Sequence, residues 1–516
     1  MKNLAIHQSV THDQRTSAFL VAQRMFDHQL SMLHDIEVIE GMASTLCLQL
    51  GYILNKGTND GSNIVSIMSV LSLVYQCSDK TREKSFNQIG SELVDVICKS
   101  FWNARHIKTF EQLSNHIANI LKLLSRLRSA SILMASQKDI LTLIQHILMI
   151  KTNNKSAKVE AVATLKNMSF YAEEYRSSMF QHPSLMDSLI RMCMDDGDEI
   201  GKEHSSAVIR NLAMAPDTKK NMAEHQSLMD TLVYLTDDHN IKAKRNAIST
   251  IGSLAIEEEN SVLFVTHGEG IIVKIMTTLV ERDEDCVIRR RAARILRSFG
   301  QRDAIKVLGD YQGIIDTLCR VAIEDSNTDT QVEAIEALSC YISNINEMTL
   351  SNDKVIDSMI KIAKTTPSPT CMEILVRSLN TISMFDSQRK SLIDHEHLLN
   401  ALSMLSSDPK ATAACQECGM CALYNLSCEV ENREKMVCKS VLYSLTLTVA
   451  NDFANQEAQK YAVMTLVNLA ELEQNRKCMS IENNLLKGLL QYVIDTEDSM
   501  LKDRVKKTLM ELIPLI

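Results

Sequence analysis

The sequence predicts an all-α solenoid of about ten to eleven stacked repeats, and three observations predict it. The first is composition: 516 residues, 45% hydrophobic and 23% charged, with only 15 Gly and 6 Pro. Leu, Met, Lys, Glu and Ala are abundant, and these favour helix, whereas few turn formers are available for a β architecture. The second is a near-copy: QHPSLMDSL at 181–189 and EHQSLMDTL at 224–232 begin 43 positions apart and share six of eight residues from the His onward. The third is a recurring Leu-x-Asn: Leu165-Lys-Asn167, Ile209-Arg-Asn211, Leu423-Tyr-Asn425 and Leu466-Val-Asn468. Self-similarity at a period of about 43 is the signature of a stacked helical array.

Using the leading apolar residue as a ruler, the repeat falls at Leu124, Leu165, Ile209, Ile251, Leu296, Leu338, Leu379, Leu423, Leu466 and Leu509. An earlier copy sits at Leu71, separated by an insertion around Trp102. Four residues before most leading positions stands a small residue: Ala161, Ser205, Ala247, Ala292, Ala334, Gly419 and Ala462. Positions i and i+4 share a helical face, so each long helix carries a small-over-large stripe against which a neighbour can close.

Each unit is expected to run in order: a short helix, a turn, a second helix such as SLMDSLIRM, a polar loop and a longer third helix. Asn260, Asn432 and Asn475 follow the third helices and are expected to cap the short ones, their side-chain oxygens accepting from free N–H groups. His182, His225 and His267 mark the joint between the first two helices, where His tolerates left-handed backbone and Gly268 follows the last of them. No unit buries its stripe alone; stacked neighbours make one continuous core. The repeated His-x-Ser-Leu-Met-Asp is therefore read as a structural joint rather than a histidine site.

Two stretches, GMCALYNLSCEVENREKM (419–436) and AVMTLVNLAELEQNRKCM (462–479), carry Ala/Gly-x-x-x-Leu-x-Asn-Leu followed by Asn-Arg. This three-helix unit resembles the armadillo repeat, over roughly residues 60–516. CVIRRRAARILRSFG (286–300) looks more like the related HEAT repeat. The resemblance implies a right-handed superhelix of residues 61–516, with residues 1–60 as an N-terminal helical cap that includes SAFLVAQRMFDHQLSMLHD (17–35). It also implies third helices that line a concave groove for extended peptides. Asn167, Asn211, Asn425 and Asn468 then either hold a ligand's backbone through their amides or bond a neighbouring helix. Importin-alpha-like adaptors place Trp four residues before this Asn. Here those positions hold Ala163, Ala207, Ser249, Arg294, Glu336, Arg377, Cys421 and Met464, which argues against import of basic signals.

The densest charge cluster is Arg289, Arg290, Arg291, Arg294 and Arg297. Arg291 and Arg294 are expected to face the groove, Arg290 and Arg297 to flank it, and Arg245 to lie nearby. Five cations this close repel unless anions compensate. Either an acidic or phosphorylated peptide docks there, as in beta-catenin-like members of the family, or Glu281, Asp283, Glu284, Asp285, Glu333 and Glu336 pair with them internally.

The formal charge of −9 opposes a broad nucleic-acid footprint. The 14 Cys are scattered, which fits a reducing compartment; a cytoplasmic location is expected, with the nucleus open as well. The apolar run at 140–150 is too short to cross a bilayer and carries Gln145 and His146. No secretory or myristoylation signal is expected at the N-terminus, and Asp13 disfavours a mitochondrial presequence. Cys415, Cys418 and Cys421 share one helix without a second pair to close a tetrahedral metal site. The stretch from Asp394 to His397 lacks H-E-x-x-H spacing and reads as a surface turn. No nucleophile elbow, P-loop, dinucleotide or kinase motif is present. The expectation is a non-enzymatic scaffold or adaptor without cofactor or metal, binding acidic or phosphorylated protein segments. A transport-type adaptor and a regulatory or assembly subunit are the alternatives. Nucleic acid and membrane insertion are not expected, and the oligomeric state is open.

Overall fold

A computed structural model describes residues 61–515 except 78, 105–109, 151–154, 309–311, 345–352, 366–368, 396, 409–410, 451–454 and 483. The cap expected over 1–60 lies outside the described residues. The chain divides into two compact units, one up to Leu254 and one from Ala255. Among the described residues each unit is built from α- and 3-10 helices joined by short turns.

In the N-terminal unit the third helices are Phe110–Leu124, Lys155–Tyr171, Glu199–Leu212 and Ile241–Leu254, each packed on the one before. In the C-terminal unit they are Cys286–Phe299, Thr328–Asn344, Pro369–Ser383, Ala413–Cys428, Gln456–Ala470 and Ser499–Leu512. Second helices, such as Leu185–Cys193 and Gln226–Leu235, or Leu398–Ser407 and Lys439–Ala450, form a parallel layer behind them. The insertion around Trp102 is a long helix, Asp79–Ala104, with Trp102 edge-on to His146 at 4.8 Å.

The small-over-large stripe forms the core. Leu165, Ile209, Ile251, Leu296, Leu379, Leu423 and Leu466 are fully buried, as are Ala161, Ala247, Ala292, Ala334 and Ala462. Gly419 shows why the position must be small: a Cβ there would stand 1.8 Å from Ser406 Oγ of the adjoining second helix. Burying each Leu contributes roughly 1.5–3 kcal/mol relative to leaving it in water.

Polar loops start the third helices. Asp198 accepts from Gly201 N at 2.8 Å, Thr412 from Cys415 N at 3.1 Å, Asn455 from Glu457 N at 2.9 Å and Asp498 from Leu501 N at 3.0 Å. Their far ends are closed by the next short helix, whose arginines donate Nε–H to last-turn carbonyls. Arg176 reaches Ser169 O, Arg389 reaches Ser383 O, Arg433 reaches Ser427 O and Arg476 reaches Ala470 O, all at 2.7–2.9 Å. A cation at a helix C-terminus also meets the negative end of its dipole.

Asn432 and Asn475 correct the capping expectation. Their amides are buried and donate rather than accept: Asn432 Nδ2 to Leu426 O and Arg389 O, Asn475 Nδ2 to Leu469 O and Arg433 O, all at 3.0–3.1 Å. The Asn-Arg pair thus closes the preceding long helix and ties it to the previous repeat. The joint histidines differ among themselves. His225 Nδ1 accepts from Leu228 N at 3.2 Å, whereas His182 is buried beside Thr142 and the left-handed residue of its joint is Ser184, with φ 55°. Three consecutive left-handed residues after His267, at Gly268, Glu269 and Gly270, break an apolar stretch at 258–282 into Glu258–Thr266 and Ile271–Arg282. Either piece falls far short of the ~20 residues a span needs.

One charged group lies deep between repeats of the N-terminal unit. Lys202 is fully buried and donates to Asp196 at 2.8 Å and to Asp238 at 2.7 Å. The Tyr234 ring stands 5.6 Å from its ammonium, and the Tyr234 hydroxyl donates to Asp196. Burial by itself lowers the pKa of an ammonium, but here the two carboxylates outweigh it and raise that of Lys202.

Candidate functional site

The ruler asparagines lie on the third helices, and each reaches the repeat before it. Asn167 Nδ2 donates to Ser125 Oγ at 2.9 Å, Asn211 to Ser169 at 3.0 Å, Asn425 to Ser383 at 3.1 Å and Asn468 to Ser427 at 3.0 Å. The acceptor serine stands four residues after the leading apolar residue of the earlier repeat, as Ser169 does after Leu165. By that measure Ser125 follows Leu121, so the repeat register there runs three residues before Leu124. The amide that would hold a peptide carbonyl is engaged with a neighbouring hydroxyl, and a ligand would have to replace it. The oxygens of Asn211 and Asn468 accept from Arg210 and Arg504, both at 3.2 Å.

The arginine cluster occupies Cys286–Phe299 in the C-terminal unit, and the next third helix with the loop before it supplies the anions. Arg289 forms a part-buried bidentate pair with Asp325 at 2.6 and 3.0 Å and also donates to the carbonyls of Asp283 and Glu284. Arg290 pairs with Asp329 at 2.8 Å, Arg294 with Glu333 through Nε at 2.9 Å, and Arg297 with Glu336. The glutamates were foreseeable partners; Asp325 and Asp329 were not. Arg291 is half-buried on the same helix. Arg245 is half-buried on Ile241–Leu254 and so belongs to the N-terminal unit.

The third-helix layer of the N-terminal unit carries a cation group that no basic run advertises. Lys166 Nζ lies 3.1 Å from His204 Nδ1, and Arg210 donates to Asn246 Oδ1 at 2.9 Å and Asn211 Oδ1 at 3.2 Å. Neither cation has a carboxylate within ion-pair distance among the described residues. Lys122 and Lys242 flank them but are paired, with Glu160 at 2.6 Å and Glu203 at 3.1 Å. Burial lowers the pKa of Lys166, and the surrounding Lys242, Lys122 and Arg210 lower it further against the pull of Glu203. Burial also lowers that of Arg210. His204 is pushed down to about 4, by burial first and by Lys166 next, so its ring is neutral at neutral pH and its Nδ1 accepts a hydrogen bond from the Lys166 ammonium. Desolvated cations without counter-charges are stabilised by any anion that reaches them, through charge-assisted hydrogen bonds. The repeat contained a signal for this site: Lys166 and Arg210 occupy the same position, directly before the Asn, where Tyr424 and Val467 stand in later repeats.

The remaining clusters are committed to structure. Cys415 is buried with its Sγ against Leu405 O, and burial raises the pKa of Cys418 and Cys421 as well, holding all three as thiols. Glu199, Asp238 and His239 come together, but Asp238 faces Lys202 and Glu199 accepts from Asn240 Nδ2 at 2.9 Å. Asp394 and His395 line an open cleft of about 600 Å³ with Lys361 and Lys364; Asp394 pairs with Lys435, and His395 meets Asp357 at 3.0 Å.

No protein-family profile matches the sequence, and no curated protein matches it. In three dimensions the chain is similar to an engineered protein of known crystal structure, with a TM-score of 0.59 and 18% identity, covering 81% of this chain and 98% of that one. It is also similar to a structure from work on a conserved phosphorylation switch that controls the interaction between cadherin and beta-catenin. There the TM-score is 0.60 and the identity 11%, over 99% of both chains. Likeness at such identities speaks to architecture, and the architecture is an all-α solenoid of armadillo type.

Proposed function

We propose that this chain is a non-enzymatic protein-interaction scaffold that binds extended acidic or phosphorylated segments along its third-helix layer. The observation that carries the reading is the group Lys166, His204 and Arg210, where two part-buried cations stand without a carboxylate within ion-pair distance among the described residues. A carboxylate or phosphate on a partner would supply the missing charge, and the neighbouring Asn167 and Asn211 would contact its backbone after releasing their serines. The arginines at 290–297 are a secondary contact in this reading, because an acidic ligand there must first displace Asp329, Glu333 and Glu336. The similarity to a structure from work on cadherin and beta-catenin supports such a partner class without naming one.

The test is fluorescence polarisation of full-length chain against matched peptides: an extended Glu/Asp-rich 20-mer, its phosphoserine counterpart and a Lys-rich control. The acidic peptides should bind and the control should not. Lys166→Glu/Arg210→Glu should weaken binding by a hundredfold or more, since charge-assisted contacts contribute about 1.5–3 kcal/mol each. Equal affinity in the variant removes these residues from the mechanism. Preference for the Lys-rich control would favour a transport-type adaptor instead.

A further inference from the structure

The second-helix layer of the C-terminal unit presents an apolar strip that the groove reading does not use. Met404, Leu447 and Leu490 follow one another at intervals of 43 residues, on Leu398–Ser407, Lys439–Ala450 and Leu485–Asp495, which pack in that order. Tyr443 stands one turn before Leu447, and Ile494 one turn after Leu490. All five side chains are 41–71% exposed. Three helices at 8–10 Å spacing extend the strip over about 20 Å, the length of roughly 13 residues of α-helix. Scattered exposed apolar residues are ordinary, but a contiguous row crossing three elements marks a contact surface.

The surrounding charge says what fits. Lys361 and Lys364 stand at one end of the strip, on the preceding second helix Asp353–Thr365. Lys439 lies one turn before Tyr443, and Lys487 lies beside Leu490. All four lysines are exposed, and none has a carboxylate within ion-pair distance among the described residues. The nearby acids are engaged: Asp394 with Lys435, and Asp495 with Gln491 Nε2 at 2.8 Å.

We infer that this strip docks an amphipathic helix of a protein partner, whose apolar face covers Met404, Tyr443, Leu447, Leu490 and Ile494 and whose bordering carboxylates meet Lys361, Lys439 and Lys487. Such a helix reads as apolar residues at i, i+3, i+4 and i+7 with Glu or Asp beside them. The surface is separate from the third-helix layer, so one chain carries two contact faces for two kinds of segment, one extended and one helical.

The experiment is selection of a displayed library of 16-residue helix-forming peptides on the full-length chain. Selected sequences should show the i, i+3, i+4, i+7 apolar pattern with an acidic border. Leu447→Glu and, separately, Lys439→Glu/Lys487→Glu should each weaken them about tenfold or more. Lys166→Glu/Arg210→Glu should leave them unchanged, which separates this surface from the groove. Leu447, Lys439 and Lys487 are exposed, so unaltered circular dichroism is expected of the variants at these three positions. Selected peptides indifferent to Leu447→Glu would overturn the assignment. So would a concentration-dependent dimer abolished by Leu447→Glu, which makes the occupant a second copy. Binding to 3:1 phosphatidylcholine:phosphatidylserine vesicles without any peptide enrichment would overturn it in favour of a lipid surface.

Discussion

Replacing Lys202 by Met isolates the energy of the buried charge in the N-terminal unit. Met keeps most of the stem's length and volume and deletes the ammonium. Its two partners differ in a way that decides the magnitude: the Asp196 side chain is 70% exposed, that of Asp238 only 2%. Asp196 rehydrates when the cation is lost, and water screens its contact with Lys202, which therefore adds little to stability. Asp238 cannot rehydrate. At 2.7 Å and an effective dielectric of 20 its attraction to Lys202 is about 6 kcal/mol before desolvation is subtracted. Breaking such a pair on one side costs about 3–5 kcal/mol. The expected loss for Lys202→Met is therefore about 3 kcal/mol, read as a lower urea midpoint for the N-terminal unit followed by circular dichroism. Lys202→Met/Asp238→Asn should recover at least half of it, and Asp196→Asn alone should cost little. The pH dependence has a defined sign: the folded pKa of Lys202 is raised, so its contribution is complete below the unfolded value of about 10.4 and fades as pH climbs above it. A loss below about 1 kcal/mol, or equal losses for Lys202→Met and Asp196→Asn, would refute the assignment of the energy to the buried partner.

Two further outcomes follow from the packing and from the cation group. Gly419→Ala should destabilise the C-terminal unit by roughly 1–3 kcal/mol through its collision with Ser406, and adding Ser406→Gly should restore part of that in the same thermal melt. His204 should titrate by NMR with a midpoint of about 4, which makes the fold lose stability as pH falls from the ordinary histidine value toward 4, because the unfolded chain takes up the proton first. Lys166→Met should raise that midpoint only partway, since burial is the larger cause; a normal histidine midpoint in the wild type would remove the buried neutral ring from the site.

The repeat is legible in the sequence because its determinants are local. A small residue four before a large one, an Asn two after it, and acidic or amide residues ahead of each long helix are all visible within one period. What the chain hides is pairing between periods. Asp325 and Asp329 look like loop acids until Thr328–Asn344 is laid against Cys286–Phe299, when they become partners of Arg289 and Arg290. Asn432 reads as a cap because capping is what a local view offers, whereas its acceptors lie six and 43 residues upstream. The arginine run is dense in sequence, yet density along the chain measures neither burial nor compensation. Lys166 and Arg210 stand 44 positions apart and become a cluster only when successive repeats are superposed.

The ladder from Arg289 to Arg297 also has a consequence for how the chain assembles. Its rungs join residues 36 or 39 apart, and all point the same way, cations on one helix and anions on the following repeat. Repeats that share a period and a stripe of Ala and Leu could otherwise stack in any order, since their apolar faces are nearly interchangeable. A helix bearing only arginines here rejects its own copy, and the Glu333/Glu336 helix rejects its own. Those two repeats are thereby keyed to each other, so a skipped neighbour or an exchange between two chains would bring like charges face to face, and sequence order becomes spatial order.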